Sequence, residues 1–187
     1  MGKIKIIIPR ILITILVIFA SIQVYAASCP IKIGGLAPLS APGSVTGGEA
    51  MREAMLLAER DINAKGGVLG CDIEVVITDT EGLPEKAAAM MQKLITQDGV
   101  VAVGGGYHSS VGVASKDVAN SRGIPVVFAE TWNDTITGDM QKYIFRIAPL
   151  SSWASGVIWK FAAQAPGVKY VAIVTENTDY GLSLIHI

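Results

Sequence analysis

Short apolar runs alternate with longer amphipathic stretches along this 187-residue sequence, and that alternation limits its fold more than any other feature. The apolar runs contain few polar residues, which predicts strands that are buried on both faces. Such strands belong to a parallel sheet that helices cover on both sides. We therefore predict an α/β fold, a three-layer sandwich around a parallel sheet. The predicted strands are residues 31–36, 73–78, 100–103, 124–129, 143–148 and 168–175.

The stretches between these runs have the spacing of helices. Residues 47–65 place methionine, alanine and isoleucine side chains on one face, and Gly66 follows where a helix would end. Pro84 begins a second helix, because the first helical position needs no N–H donor. Two more helices are predicted at residues 110–121 and 153–165, with irregular backbone at 130–142.

The first residues have the layout of an export signal. Three basic residues before position 11 precede an apolar stretch at residues 11–20, and small residues follow near position 26. This order predicts a signal peptide over residues 1–26, and hence a periplasmic or other extracytoplasmic location. The apolar stretch is shorter than the about 20 residues that a membrane span needs. An uncleaved anchor is one alternative, and a form that carries a lipid on Cys29 is another.

The composition excludes several classes of protein. Hydrophobic residues make up 51% of the sequence, which excludes a disordered chain. The formal net charge is −1 and no basic stripe occurs, so we expect no nucleic-acid partner. Two cysteines and two histidines without metal-site spacing predict no metal.

No catalytic or cofactor motif is complete. Gly104 and Gly106 begin a dinucleotide-binding pattern, but Ser109 stands where the third glycine belongs, so we expect no cofactor. His108 has no carboxylate partner in the sequence and is expected to be an exposed loop residue. We therefore expect a protein that is not an enzyme.

A ligand site is expected beyond the carboxyl ends of the strands, where open parallel sheets bind their ligands. After the third predicted strand, three glycines precede Ser109 and Ser110 at the start of a helix. A helix N-terminus offers free N–H groups and suits a carboxylate. The alternative is that Ser109 only caps the helix and the glycines only form a tight turn.

Several segments, taken together and in order, resemble a known family. They are Ile33–Ser40, Asp61–Gly67, Asp79–Thr80, Leu94–Ile95, Val103–Gly104, Ser109–Ser110, Gly123–Val126, Phe145–Arg146 and Asp179–Gly181. The set resembles the branched-chain amino-acid-binding proteins of ABC transporters, which are type I periplasmic binding proteins. The resemblance implies two α/β lobes that close on a ligand. It divides this chain into lobe one, residues 29–145, and a crossover with the truncated start of a second similar lobe, residues 146–187.

The resemblance also implies roles for particular residues. Ser109, with Ser110, would hold the carboxylate of the ligand. The segment after the fourth strand would hold the ammonium group through a backbone carbonyl of Ala129 or Glu130 and through Thr131. Tyr180 would face the ligand from the second lobe.

The function implied by the resemblance is binding of an amino acid or related small polar molecule and its delivery to the membrane subunits of an ABC permease. A ligand-sensing receptor ectodomain of the same fold is the alternative. Two departures from the family stand out. Glu130 replaces a usually small residue, so it would pair with a cationic group or face solvent. Residues 182–187 do not resemble the expected helix and indicate an unrelated tail on an N-terminal fragment.

The two cysteines have equal offsets from two predicted strands. Cys29 precedes the strand at Ile31 by two residues, and Cys71 precedes the strand at Ile73 by two. In a doubly wound sheet of order 2-1-3 these strands are neighbours about 4.8 Å apart. Equal offsets then place the cysteines side by side, which favours a disulfide in an oxidising compartment. Two free thiols and a lipid on Cys29 are the alternatives.

Overall fold

The computed structural model describes residues 29–185, which form a parallel sheet flanked by helices. Its strands are β1 (Ile31–Ala37), β2 (Ile73–Asp79), β3 (Ala102–Gly105), β4 (Val126–Phe128) and β5 (Ile144–Arg146). They are hydrogen-bonded in the order β2-β1-β3-β4-β5, and every pair is parallel. The predicted fold class and the 2-1-3 order are confirmed. The predicted signal peptide, residues 1–26, lies outside the described residues.

The helices follow the predicted alternation closely. They are α1 (Val45–Ala64), α2 (Pro84–Lys93), α3 (Ser109–Ser121), α4 (Thr135–Gly138), α5 (Ser151–Gln164) and α6 (Asp179–Ile185). A π-helical turn, Leu94–Asp98, continues α2. The short helix α4 lies in a region predicted to be irregular, because four residues are too few to show a helical period. Within residues 29–185, no helix has both the length and the apolar character needed to cross a bilayer.

Two adjacent glycines of β1 show that helices cover both faces of the sheet. A Cβ atom placed on Gly34 would lie 3.0 Å from Leu94 Cδ1, whereas one on Gly35 would lie 2.9 Å from Met55 Cε. Successive residues of a strand point to opposite faces, so Leu94 and Met55 lie on opposite sides of the sheet. Helix α1 therefore covers one face, and α2 with its π-helical turn covers the other.

The main core lies between the sheet and the layer formed by α2 and α3. It is built from large apolar side chains that are shielded from solvent, among them Leu36, Met91, Leu94, Val103, Val111, Val126, Phe128 and Ile136. Complete burial of one such side chain contributes about 1.5–3 kcal/mol to folding. The strands and helices that position the binding loops are therefore anchored by hydrophobic packing.

Asp79, the last residue of β2, ties together the loops that follow β1 and β2. Its carboxylate accepts hydrogen bonds from the N–H of Leu39 at 2.8 Å, the hydroxyl of Ser40 at 2.6 Å and the N–H of Glu81 at 2.9 Å. Burial raises the pKa of Asp79, but these hydrogen bonds lower it by more, so the pKa lies below its usual 3.8. The ionised carboxylate thus fixes both loops at the carboxyl edge of the sheet.

The strand predicted at residues 168–175 is wrong. This segment pairs with no strand among residues 29–185, and Val174 is 97% exposed. Strand structure needs a neighbour to accept and donate the backbone hydrogen bonds. An apolar composition favours a buried strand, but it does not provide the neighbouring strand that these hydrogen bonds need.

Residues 182–185 belong to α6, so the expectation that they do not form a helix is also wrong. Leu182 and Ile185 are three residues apart, which is a helical spacing. The hydroxyl of Ser155 on α5 donates to the carbonyl of Leu184 at 3.0 Å. Helix α6 is therefore hydrogen-bonded to α5.

Cys29 and Cys71 form a disulfide at the amino ends of β1 and β2, with a Cα–Cα distance of 5.2 Å. The register explains why they meet: Ile31 pairs with Ile73, and each cysteine precedes its strand by two residues. The bond therefore lies at the end of the sheet opposite the loops that Asp79 joins.

We predict that chain purified from an oxidising compartment contains no free thiol under denaturing, non-reducing conditions. Replacing both cysteines by serine should lower the free energy of unfolding by about 4 kcal/mol, because the bond closes a long loop in the unfolded chain. Thiol titration and urea unfolding of the two forms measure these effects. Two titratable thiols, or equal denaturation midpoints, would show that the bond is not part of the folded protein.

Candidate ligand-binding site

A cavity of about 430 Å³ lies at the carboxyl ends of the strands. Loops that follow β1, β2, β3 and β4 contribute to its wall, and so does the segment that leads into α6. The lining residues are Ser44, Gly82, Tyr107, His108, Ser109, Ser110, Glu130, Trp132, Glu176, Thr178 and Tyr180. This is the edge of the sheet at which the topology predicts a ligand.

The turn after β3 is shaped by two glycines in the left-handed region. Gly105 has φ +96° and Gly106 has φ +79°, and side chains other than that of glycine are strained there. The N–H of Gly106 donates to the carbonyl of Leu36 at 2.7 Å. The turn thus stays close to β1 and starts α3 at Ser109, at the wall of the cavity.

Ser109 lies in the first turn of α3, where backbone N–H groups have no helical acceptor. The side chain is only 2% exposed, and its Oγ accepts the N–H groups of Trp132 at 3.1 Å and Asn133 at 3.2 Å. A serine hydroxyl has two acceptor positions and one donor. Both acceptor positions are occupied, so what Ser109 can still offer to a ligand is its O–H proton. A carboxylate is the natural partner for such a donor at a helix N-terminus.

Arg146 holds the loop after β4 from the other side. Its Nη1 donates to the carbonyls of Trp132 at 3.2 Å and Asn133 at 2.9 Å. Burial lowers the pKa of Arg146, and the charge of Asp134 opposes that shift. The N–H groups of Trp132 and Asn133 are therefore held by Ser109 and their carbonyls by Arg146, which fixes the loop.

The structure brings together four of the six residues expected to bind a ligand. Ser109, Ser110, Glu130 and Tyr180 line the cavity. Ala129 and Thr131 do not line it, so the expectation that Thr131 faces the cleft is not met. Side chains alternate along this extended loop, which turns those of Glu130 and Trp132 to the cavity and the other two away.

Thr131 is buried against α3 instead. It is fully buried, and a Cβ atom placed on Gly112 would lie 2.9 Å from Thr131 Cγ2. Its Oγ1 has no hydrogen-bond partner among residues 29–185. The N–H of Ala129 donates to the carbonyl of Gly105 at 2.8 Å. The Thr131 side chain thus does not reach the cavity, whereas the contact implied for the backbone carbonyl of Ala129 or Glu130 stays a prediction.

Tyr180 is held at the cavity by the hydrogen bonds of the preceding residue, Asp179. The carbonyl of Asp179 accepts from Asn133 Nδ2 at 2.7 Å, and the N–H of Asp179 donates to Ser110 Oγ at 3.4 Å. The Tyr180 ring meets the Trp132 ring edge to face, with 6.3 Å between centroids. Helix α6 is thus tied to the loops of the sheet at the cavity.

His108 is a lining residue that the sequence did not indicate. It was expected to be exposed, but it is half-buried, and its Nε2 accepts the N–H of Ser44 at 3.4 Å. Burial lowers the pKa of His108 below its usual 6.5, and the charge of Glu176 opposes this shift. An imidazole that accepts at Nε2 is neutral and carries its proton on Nδ1. The sequence feature that could have indicated a lining position is that His108 stands in the turn after a buried strand.

The cavity wall contains two carboxylates and no lysine or arginine. Trp132 Nε1 donates to Glu130 Oε2 at 3.2 Å, and Glu176 is the second acidic residue. In the part of the chain that the structure describes, no group of three or more histidine, cysteine or acidic side chains could hold a metal ion. The lining residues offer hydrogen-bonding groups, negative charge and aromatic rings to a ligand. Fold and cavity together define an α/β ligand-binding protein.

Comparison with known proteins identifies the family. A family model described as periplasmic binding protein matches residues 30–186. The leucine-, isoleucine-, valine-, threonine-, and alanine-binding protein of Pseudomonas aeruginosa is 31% identical over 163 residues, which are 87% of this chain and 43% of that protein. The chain belongs to the periplasmic binding protein family. It spans less than half the length of this curated relative.

Two solved structures show the same architecture. One is the branched-chain amino acid transporter substrate binding protein of Streptococcus pneumoniae in complex with isoleucine, with TM-score 0.67 and 32% identity over 72% of this chain and 38% of that one. The other is an ABC transporter solute binding protein of R. palustris in complex with benzoate, with TM-score 0.72 and 28% identity over 83% and 42%. Both are similar to this chain in fold and in sequence.

We predict that Ser109→Ala lowers the free energy of unfolding by about 1–3 kcal/mol, because the N–H groups of Trp132 and Asn133 lose their acceptor. The matched control is Ser121→Ala at the end of the same helix. Its hydroxyl is exposed and donates to one carbonyl, of Val118, so a change within about 0.5 kcal/mol is expected. Urea unfolding compares the variants, and equal losses would contradict the role given to Ser109.

We also predict that folding stability falls as the pH drops below about 6.5, because His108 then binds a proton more readily in the unfolded chain than in the folded protein, where it is half-buried. The lowered pKa fixes this sign: the contribution is complete above 6.5 and is lost as the pH falls through the folded value. Urea midpoints at about pH 8 and about pH 5.5 measure the slope. His108→Gln should flatten it, and an unchanged slope would refute the prediction.

Proposed function

We propose that this chain is the ligand-binding part of an extracytoplasmic solute-binding protein that delivers an amino acid or a related small polar molecule to the membrane subunits of an ABC permease. The observation that carries the proposal is the buried hydroxyl of Ser109. It lies at the N-terminus of α3 and lines a cavity, and its acceptor positions are already filled. The hydroxyl proton and the first N–H groups of the helix make a site for a carboxylate.

The ligands of the similar structures support a carboxylate anchor. Isoleucine and benzoate differ in size, in aromaticity and in the presence of an amino group. Both carry a carboxylate next to an apolar group. A binding mode common to both can use the carboxylate, and among residues 29–185 the first turn of α3 offers donors for it at the cavity.

We propose the lobe assignment given by the resemblance, with lobe one at residues 29–145 and the second lobe entered from residue 146. The sheet, except for Arg146 at the end of β5, and the loops that follow β1 to β4 fall in lobe one. The hydrogen bonds of Asn133 and Ser110 to Asp179 then join the two lobes at the ligand site. Tyr180 would contact the ligand from the second lobe.

The disulfide supports an exported protein. Cytosolic proteins rarely keep such bonds, whereas the periplasm supplies an oxidant. Lipid attachment would need the Cys29 sulfur that the disulfide uses. We therefore favour an exported form without a lipid on Cys29 over a lipid-anchored one, and we assign no catalytic step to the site.

The proposal predicts that Ser109→Ala weakens binding of an L-amino acid about 5- to 100-fold, the scale of one lost hydrogen bond to a charged group. Ligand-detected NMR titration of the purified chain measures the dissociation constant, at a temperature where the melting curve shows the variant folded. The amide analogue of the same amino acid, which lacks the carboxylate, should bind weakly to both proteins.

Ser121→Ala is the control and should bind like the unmodified chain. Equal dissociation constants for Ser109→Ala and the unmodified chain would reject Ser109 as the anchor. Equal binding of the acid and its amide would reject a carboxylate site.

A further inference from the structure

The charge of the cavity wall is one-sided. Glu130 and Glu176 contribute two carboxylates, and no lysine or arginine lines the cavity. His108 does not balance them at neutral pH, because burial lowers its pKa and its Nε2 accepts the N–H of Ser44. A ligand that enters the cavity therefore meets a net negative wall.

The uncharged part of the wall is aromatic and polar. Tyr107, Trp132 and Tyr180 supply the rings, and the remaining lining residues are serine, threonine, glycine and histidine. No leucine, isoleucine, valine or methionine belongs to the lining. A branched aliphatic side chain gains most where it is enclosed by such residues. Aromatic faces beside carboxylates suit a cation instead.

Glu130 is held beside the aromatic pair. Trp132 Nε1 donates to Glu130 Oε2 at 3.2 Å, and the Trp132 ring meets Tyr180 edge to face. The indole N–H occupies one carboxylate oxygen and leaves the other free to pair with a ligand. A group that reaches this corner meets a carboxylate and two rings at once.

The anchor and the acidic residues lie at different depths. Ser109 is 2% exposed, whereas Glu130 and Glu176 are both exposed side chains of the wall. The hydroxyl donor of Ser109 is therefore inside the site and the carboxylates are towards its mouth. A ligand bound through its carboxylate at Ser109 would extend its other end towards Glu130 and Glu176.

We propose that this site takes an amino acid whose side chain ends in a cationic group, an amine or a guanidinium, with Glu130 and Glu176 as its specificity-determining partners. This rests on the proposed function, because it uses Ser109 as the carboxylate anchor. The cavity of about 430 Å³ lies within the range of small-ligand sites.

The test compares two ligands of nearly equal shape, arginine and citrulline, which differ in the charge of the side-chain end. Leucine and benzoate complete the set. The purified chain is titrated with each by ligand-detected NMR. Arginine should bind most tightly, and added salt should weaken its binding more than that of citrulline.

Three variants locate the charge that is recognised. Glu130→Gln and Glu176→Gln should each weaken arginine binding about 2- to 5-fold, as expected for a solvent-accessible ion pair, and should leave citrulline binding unchanged. Glu74→Gln is the control, because Glu74 is exposed near the start of β2, at the opposite end of the sheet. It should change nothing.

The outcomes separate this inference from the proposed function. If citrulline or leucine binds as tightly as arginine, and both glutamine variants leave the dissociation constant of arginine unchanged, the proposed selection for a cationic side chain is refuted. Loss of leucine binding in Ser109→Ala would still support the carboxylate anchor in that case. If none of the amino acids binds, both proposals fail. Tightest binding of benzoate would also overturn the inference, because a wall that prefers an anion without a cationic group does not select for positive charge.

Discussion

The structure depends on the complete enclosure of β1. This strand pairs with β2 on one edge and with β3 on the other. Gly34 and Gly35 leave room for Leu94 on one face and Met55 on the opposite face, each of which would be crowded by a Cβ atom on the glycine. Both edges and both faces are used, so only the ends of the strand remain open. The disulfide lies at the amino end, and the cavity lies at the carboxyl end.

One hydroxyl group then links folding to binding. Ser109 Oγ accepts two N–H groups from the loop after β4 and thereby joins the third and fourth strand ends. The same atom carries a proton that can be donated to a ligand. In the proposed binding mode, stability uses the lone pairs and the ligand would accept the proton, so the two demands do not compete for the same part of the group.

The sequence predicted the features that depend on local pattern or on fixed geometry. Apolar runs located the five paired strands, and equal offsets of Cys29 and Cys71 agreed with the register of β1 and β2. The sequence did not predict which side chains of the loop after β4 face the cavity. In an extended loop, alternate side chains point to opposite sides, and the sequence pattern does not say which of the two sets points into the cavity. The environment of His108 depends on Ser44, 64 residues earlier in the chain. The periodicity of a short sequence window carries no information about a contact between residues so far apart in the chain.

Ser109 and the acidic residues of the cavity wall also differ in how much a substitution would cost in stability. Ser109 and the loop it holds are fixed by hydrogen bonds to the backbone, so we expect a substitution there to disturb folding as well as the proposed binding. Glu130 and Glu176 are exposed, and among the described residues the Glu130 carboxylate accepts a hydrogen bond from the Trp132 side chain alone. Exposed side chains of this kind change at little cost to stability. The same sheet and the same anchor are therefore compatible with different residues at the mouth of the cavity, which is where a ligand's distinguishing group would lie. If Ser109 is the carboxylate anchor that we propose, such a division lets the selectivity of the site change while the fold and the anchor stay as they are.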